Sequence, residues 1–119
     1  MFRGGWRATQ GGGGGTSTLG WASISSSNNP YTFSTTSGTN AVAVTMTTGD
    51  LDIMLPSAAA GVGLVYTIRH VAGSLTASLL KIKSNGGDVE GSPAGVGVII
   101  TSNQSTTRVS SNGTEWLII

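Results

Sequence analysis

His70 is the single histidine of the chain and the first place to look for acid–base chemistry. Imidazole titrates near neutral pH, so it can serve as base, acid or metal ligand. It closes the run Tyr66-Thr67-Ile68-Arg69-His70, where an alternating strand would end. A hydrolytic serine would sit on a sharp strand-to-helix turn, and no Gly-X-Ser-X-Gly elbow accompanies His70. The residue therefore reads as a surface or hydrogen-bonded structural side chain. Asp50 and Asp52 stand two apart, as do Asp88 and Glu90. That spacing puts both carboxylates of a pair on one side of an extended strand. Oxygen-ligated cations draw more carboxylates than two from one loop, so both pairs read as solvated charges and no metal site is assigned. The absence of cysteine removes disulfides, thiolate ligands and thiol nucleophiles together. Gly11 to Gly15 is no phosphate loop, because no Gly-Lys-Ser/Thr follows it. No catalytic residue and no cofactor is expected.

The elements that would position these groups begin after a distinct leader. Residues 1–18 hold Phe2, Arg3, Trp6 and Arg7 ahead of five consecutive glycines. Such a glycine tract loses much backbone entropy on ordering and does not make a helix or an independent strand. Two readings stay open: a disordered leader, or a docking arm. In the second, Phe2, Trp6, Arg3 and Arg7 anchor on a partner, since aromatic and arginine side chains are the usual interface anchors. Two cations and a net charge of +1 are too few for nucleic acid or an anionic bilayer. No apolar run approaches the roughly 20 residues of a membrane helix.

Residues 19–119 read as one small β domain. Val42, Val44 and Met46 alternate with Ala43 and Thr45; Leu51, Ile53 and Leu55 alternate up to Pro56, which cannot donate to a sheet ladder. Ala58 to Gly63 makes a small-residue bend, after which Leu64, Tyr66 and Ile68 resume the alternation. Further short strands are expected around Trp21–Ile24, Tyr31–Phe33, Leu80–Lys83, Val96–Ile100, Thr106–Val109 and Trp116–Ile119. Asn85-Gly86 and Asn112-Gly113 read as tight turns, because both residue types tolerate positive φ. The one helical alternative is Ser74–Lys83. About eight short strands at this spacing predict an all-β fold, a small antiparallel sandwich or barrel. Charged residues are only 9% of the chain, so its polar surface is built from Ser, Thr, Asn and Gly and repels other copies of itself weakly.

The segments Leu51-Asp52-Ile53-Met54-Leu55-Pro56, Tyr66-Thr67-Ile68-Arg69, Asn85-Gly86-Gly87-Asp88 and Asn112-Gly113-Thr114-Glu115-Trp116-Leu117-Ile118-Ile119 resemble a recurrent β-module of tailed-bacteriophage virion proteins. In that family a strand ends in Leu-Pro, a small-residue bend and a Tyr-Thr-Ile strand follow, and an Asn-Gly-Thr-X-Trp segment closes the module. The resemblance covers residues 31–119 and leaves the leader unexplained. It implies a homotrimeric structural protein without enzymatic activity. A free-standing copy with an anchor-like leader is most similar to a capsid decoration, or cement, protein on the capsid exterior. Its partners would then be its own copies and, through the leader, the major capsid protein. The alternative is a tail-fibre module that binds a receptor or host-surface glycan. Small domains bury little core per residue, so apolar strand faces are candidates for a shared trimer surface as well as for the core. These are Val42, Val44, Leu51, Ile53, Leu55, Tyr66, Ile68, Trp116 and Ile118. Trp21 and Trp116 read most simply as core or intersubunit residues; if exposed, they are the candidates for stacking on a sugar.

Overall fold

The alternating runs become strands whose partners are set by long bends. The structure is a computed structural model and describes residues 20–119; Phe2, Arg3, Trp6 and Arg7 lie outside the described residues. Among the described residues nine strands form: β1 Trp21–Ser25, β2 Tyr31–Thr32, β3 Ala41–Thr45, β4 Leu51–Leu55, β5 Val65–Ala72, β6 Leu80–Ser84, β7 Val98–Ile100, β8 Thr106–Ser111 and β9 Trp116–Ile118. They divide into a five-stranded sheet ordered β1-β3-β5-β8-β9 and a four-stranded sheet ordered β2-β4-β6-β7. Among the described residues, helix is confined to a single 3-10 turn, Ser26–Asn28. The described chain is all-β in two sheets.

The expectation of antiparallel pairing needs correction. Strands β1 to β6 alternate between the two sheets, and their four pairings, β1/β3, β3/β5, β2/β4 and β4/β6, are all parallel. The first six strands are thus three stacked coils, each giving one strand to either sheet. Parallel neighbours cannot be joined by a tight hairpin; the chain must travel out of the sheet and return. Here the return passes through the opposite sheet. Only the last strands reverse: β6/β7, β5/β8 and β8/β9 are antiparallel. The Ser74–Lys83 helix does not form. Ser74 Oγ instead accepts from the N–H groups of Thr76 and Ala77 at 3.2 and 3.0 Å, holding a turn that leads into β6.

Inward-facing residues of both sheets share one core. Val42, Val44, Leu51, Ile53, Leu55, Tyr66, Ile68 and Trp116 are all buried in it within a single chain. They are therefore not available as a face shared between copies; Ile118, 43% exposed, is the one residue of that set left at the surface. An aromatic spine crosses the core, with ring centroids 5.3 Å apart for Tyr31–Phe33, 4.4 Å for Phe33–Tyr66 and 5.7 Å for Tyr66–Trp116. Close-packed aromatic pairs of this kind add roughly 0.5–1.5 kcal/mol each beyond their area burial.

Candidate functional site

The titratable residues that could do chemistry are engaged structurally and dispersed. His70 is 2% exposed; its Nε2 meets the Gly73 carbonyl at 2.9 Å, and its Nδ1 accepts from the Gln104 N–H at 2.9 Å. With one nitrogen donating and the other accepting, the ring ties two loops together as a neutral imidazole. Gln104 has φ of 56°, a left-handed conformation that the His70 bond helps to hold. Asp50 accepts from the Leu79 N–H at 2.8 Å, and Asp52 pairs with Lys83 at 2.9 Å. Glu90 accepts from the Ile118 N–H at 2.6 Å and so caps part of the β9 edge. Among the described residues no three His, Cys, Asp or Glu side chains come together as metal ligands would.

What the structure does bring together is the set of short motifs spread from Leu51 to Ile119. Trp116 is fully buried, and its Nε1–H donates to the Pro56 carbonyl at 2.9 Å, at the end of β4. The bend after Pro56 folds over the indole, and a Cβ on Gly61 would lie 2.5 Å from Trp116 Cζ2. Ser111 Oγ donates to the Ala58 carbonyl at 2.5 Å, and the Ala58 N–H donates to the Gly86 carbonyl at 2.9 Å. Gly87, at φ 85°, sits where a Cβ would lie 2.8 Å from Ala58 Cβ and 2.6 Å from the Thr114 carbonyl oxygen. Strand end, bend, Asn-Gly-Gly turn and closing tryptophan therefore form one packing node.

Asn85-Gly86 is accordingly no hairpin turn. Ser84 Oγ donates within this bend, 3.0 Å from the Gly86 carbonyl and 2.5 Å from that of Gly87, and the chain reaches β7 only at Val98. Asn112-Gly113 does sit in a tight reversal. Asn112 Oδ1 accepts from the Thr114 and Glu115 N–H groups, both at 2.9 Å, and so shapes the turn that joins β8 to β9.

The two tryptophans part company. Trp116 is enclosed, whereas Trp21 on β1 is 51% exposed on the outer face of the five-stranded sheet. Register places Trp21 beside Ala41, Ala41 beside Thr67 and Thr67 beside Arg108. The next row carries Ser23, Ala43, Arg69 and Thr106. Two small central side chains between taller outer ones leave a cleft of about 450 Å³, lined by Trp21, Thr67, Arg69, Thr106, Arg108 and Ile119. Alternation assigns Thr67 to the solvent side of β5, yet it is 3% exposed. Its neighbours across the sheet close over it, which no local sequence signal announces.

No protein-family model, no curated protein and no solved structure matches this chain.

Proposed function

We propose that the chain is a structural protein of a tailed-bacteriophage virion, a homotrimeric capsid decoration protein without enzymatic activity. The observation that carries this reading is the node around Trp116. Segments far apart in sequence meet there: Trp116 bonds Pro56, the bend at Ala58 bonds Gly86 and Ser111, and Tyr66 packs on the Trp116 ring. Motifs of that kind specify a scaffold. They place no nucleophile or base, and what they leave at the surface is strand edge.

The stack also has two unlike ends. Strands β7 to β9 turn antiparallel, and the segment at Val89 runs beside Trp116 to close that end. At the other end, β1 and β2 are the outermost strands among the described residues. Repeating stacks need a cap at each end, and an uncapped strand edge pairs readily with another chain. The leader enters the domain directly before β1, so anchoring on the major capsid protein and assembly of copies meet at this end. Added contacts between capsomers would strengthen the shell by mass action.

Immunogold labelling of virions that carry this chain tests the assignment. Label over the whole head is expected, and label confined to the tail tip would replace it with the tail-module reading. The second reading has its own support in the exposed indole of Trp21. Deleting residues 1–15 should abolish particle binding, and full occupancy by the truncated chain would show that the leader is not the anchor.

A further inference from the structure

The outer-face cleft of the five-stranded sheet has features that a scaffold does not require. Arg69 and Arg108 lie on neighbouring strands at diagonal positions, since Thr67 faces Arg108 and Arg69 faces Thr106. Like charges so placed repel one another. The ion pair found among the described residues is Lys83–Asp52, on the other sheet, and neither arginine has a described carboxylate within pairing distance. Arg69 Nη1 donates to Thr106 Oγ1 at 3.0 Å, which fixes the plane of the guanidinium and leaves its other donors to the cleft.

Between the arginines and Trp21 lies Thr67, whose Oγ1 is buried without a hydrogen-bond partner. A buried hydroxyl left unpaired costs roughly 1–3 kcal/mol. A second hollow, of about 440 Å³, shares Thr67 and Arg108 with the first and is lined by Ser34, Thr35, Ser37 and Asn40. The two hollows meet at Thr67 and Arg108 and are taken together as one groove. It offers an aromatic plate, two cations free of carboxylate partners among the described residues, and a bank of short polar side chains.

We infer that this groove binds an acidic oligosaccharide through a ring-borne carboxylate. The apolar face of a pyranose stacks on Trp21, as sugars do on exposed aromatic plates. The carboxylate is planar and matches the guanidinium fork in a way that a point cation does not. Three inter-strand steps, about 14 Å, separate the Trp21 and Arg108 backbones, and side chains leaning inward reduce this to the span of one or two sugar rings. The inference concerns the face of the sheet, not its edge, and does not depend on where the chain sits in a particle.

Titration of the full chain with α-1,4-linked trigalacturonate tests it, followed through the indole N–H resonances and by calorimetry. The methyl-esterified trimer and inorganic phosphate serve as comparison probes. Trigalacturonate should shift the Trp21 indole resonance and leave that of Trp116 unmoved. It should bind at least about tenfold more tightly than the ester, the difference expected of a charge-assisted pair. Arg108→Gln and, separately, Arg69→Gln should remove that tenfold preference while leaving binding of the ester unchanged. Trp21→Ala should weaken both sugars about tenfold. Thr67→Val, which removes a buried unpaired hydroxyl, should raise thermal stability and leave the preference for trigalacturonate in place. Three results would each overturn the inference. One is no binding up to about 10 mM, below which even a weak site would register; the others are equal affinity for acid and ester, and phosphate binding as tight as trigalacturonate.

Discussion

Replacing Gly61 by alanine probes the node around Trp116 at its tightest point. Gly61 is not in the left-handed region, so alanine can take its backbone conformation, and the outcome is decided by space. The new Cβ would lie 2.5 Å from Trp116 Cζ2 and 2.6 Å from Cη2, so the ring or the bend must give by about 1 Å to reach ordinary contact. The indole cannot yield cheaply. Its Nε1–H is tied to the Pro56 carbonyl at 2.9 Å, and its ring packs on Tyr66 at a centroid distance of 5.7 Å. Overpacking of this kind costs roughly 1–3 kcal/mol. The gain from stiffening the unfolded chain, about 0.4–1 kcal/mol, offsets part of it. A net loss of about 1.3 kcal/mol follows, equivalent to about 5–10 °C in Tm for a domain of this size.

Trp116→Phe should itself cost about 3 kcal/mol, since it empties the outer ring's volume and strands the buried Pro56 carbonyl. It also removes Cζ2 and Cη2, the two atoms that a methyl group at position 61 would strike. The double variant should therefore be less destabilised than the sum of the singles by about 2 kcal/mol. Guanidinium unfolding followed by far-UV circular dichroism measures all four corners of the cycle. Additivity within about 0.5 kcal/mol would refute the claim that the bend is shaped around the indole.

Other substitutions test the remaining contacts. His70→Leu leaves the Gln104 N–H and the Gly73 carbonyl without their partner, and should cost about 2–4 kcal/mol and speed amide exchange at Gln104. Gly73→Ala should prevent folding, seen as loss of the β signal in circular dichroism, because φ is 94° and a Cβ would lie 2.0 Å from the Met46 carbonyl oxygen. Burial pushes the phenol of Tyr66 above its ordinary value, and its O–H donates to the Ser34 carbonyl at 3.0 Å. The folded state therefore keeps this proton after the unfolded state has lost it. Stability from this group is whole below pH 10 and falls as pH rises through the folded value. Denaturant midpoints above pH 10 should decline more steeply for the native chain than for Tyr66→Phe.

Much of the fold was legible because apolar alternation survives in nearly every strand. Leu51, Ile53 and Leu55, or Leu80 and Ile82, announce an inward face without reference to their neighbours. Strand direction was not legible, since alternation reads the same in parallel and antiparallel ladders. The deciding signal lies in the connections. The Ala58–Gly63 bend carries the chain from one sheet to the other, and Asn85-Gly86 serves the same node despite its hairpin-like composition. Period two put Thr67 on the right face of β5 but could not show its burial, which depends on what surrounds it in the fold. Trp21 and Trp116 looked alike as strand aromatics. One sits on an outermost strand facing out, and the other faces in against a bend that only the fold brings near. His70 read as either a surface or a hydrogen-bonded side chain from its position, and only the structure shows it buried and names the two loops it joins.

The proposed role depends on copies of this chain assembling with one another, and light scattering coupled to gel filtration measures that directly. With a chain mass of 12.0 kDa, a homotrimer has three times that, about 36 kDa. The account predicts this species at micromolar concentration, unchanged by the salt that would dissolve a charge-driven contact. A clean 12.0 kDa monomer under the same conditions would contradict it.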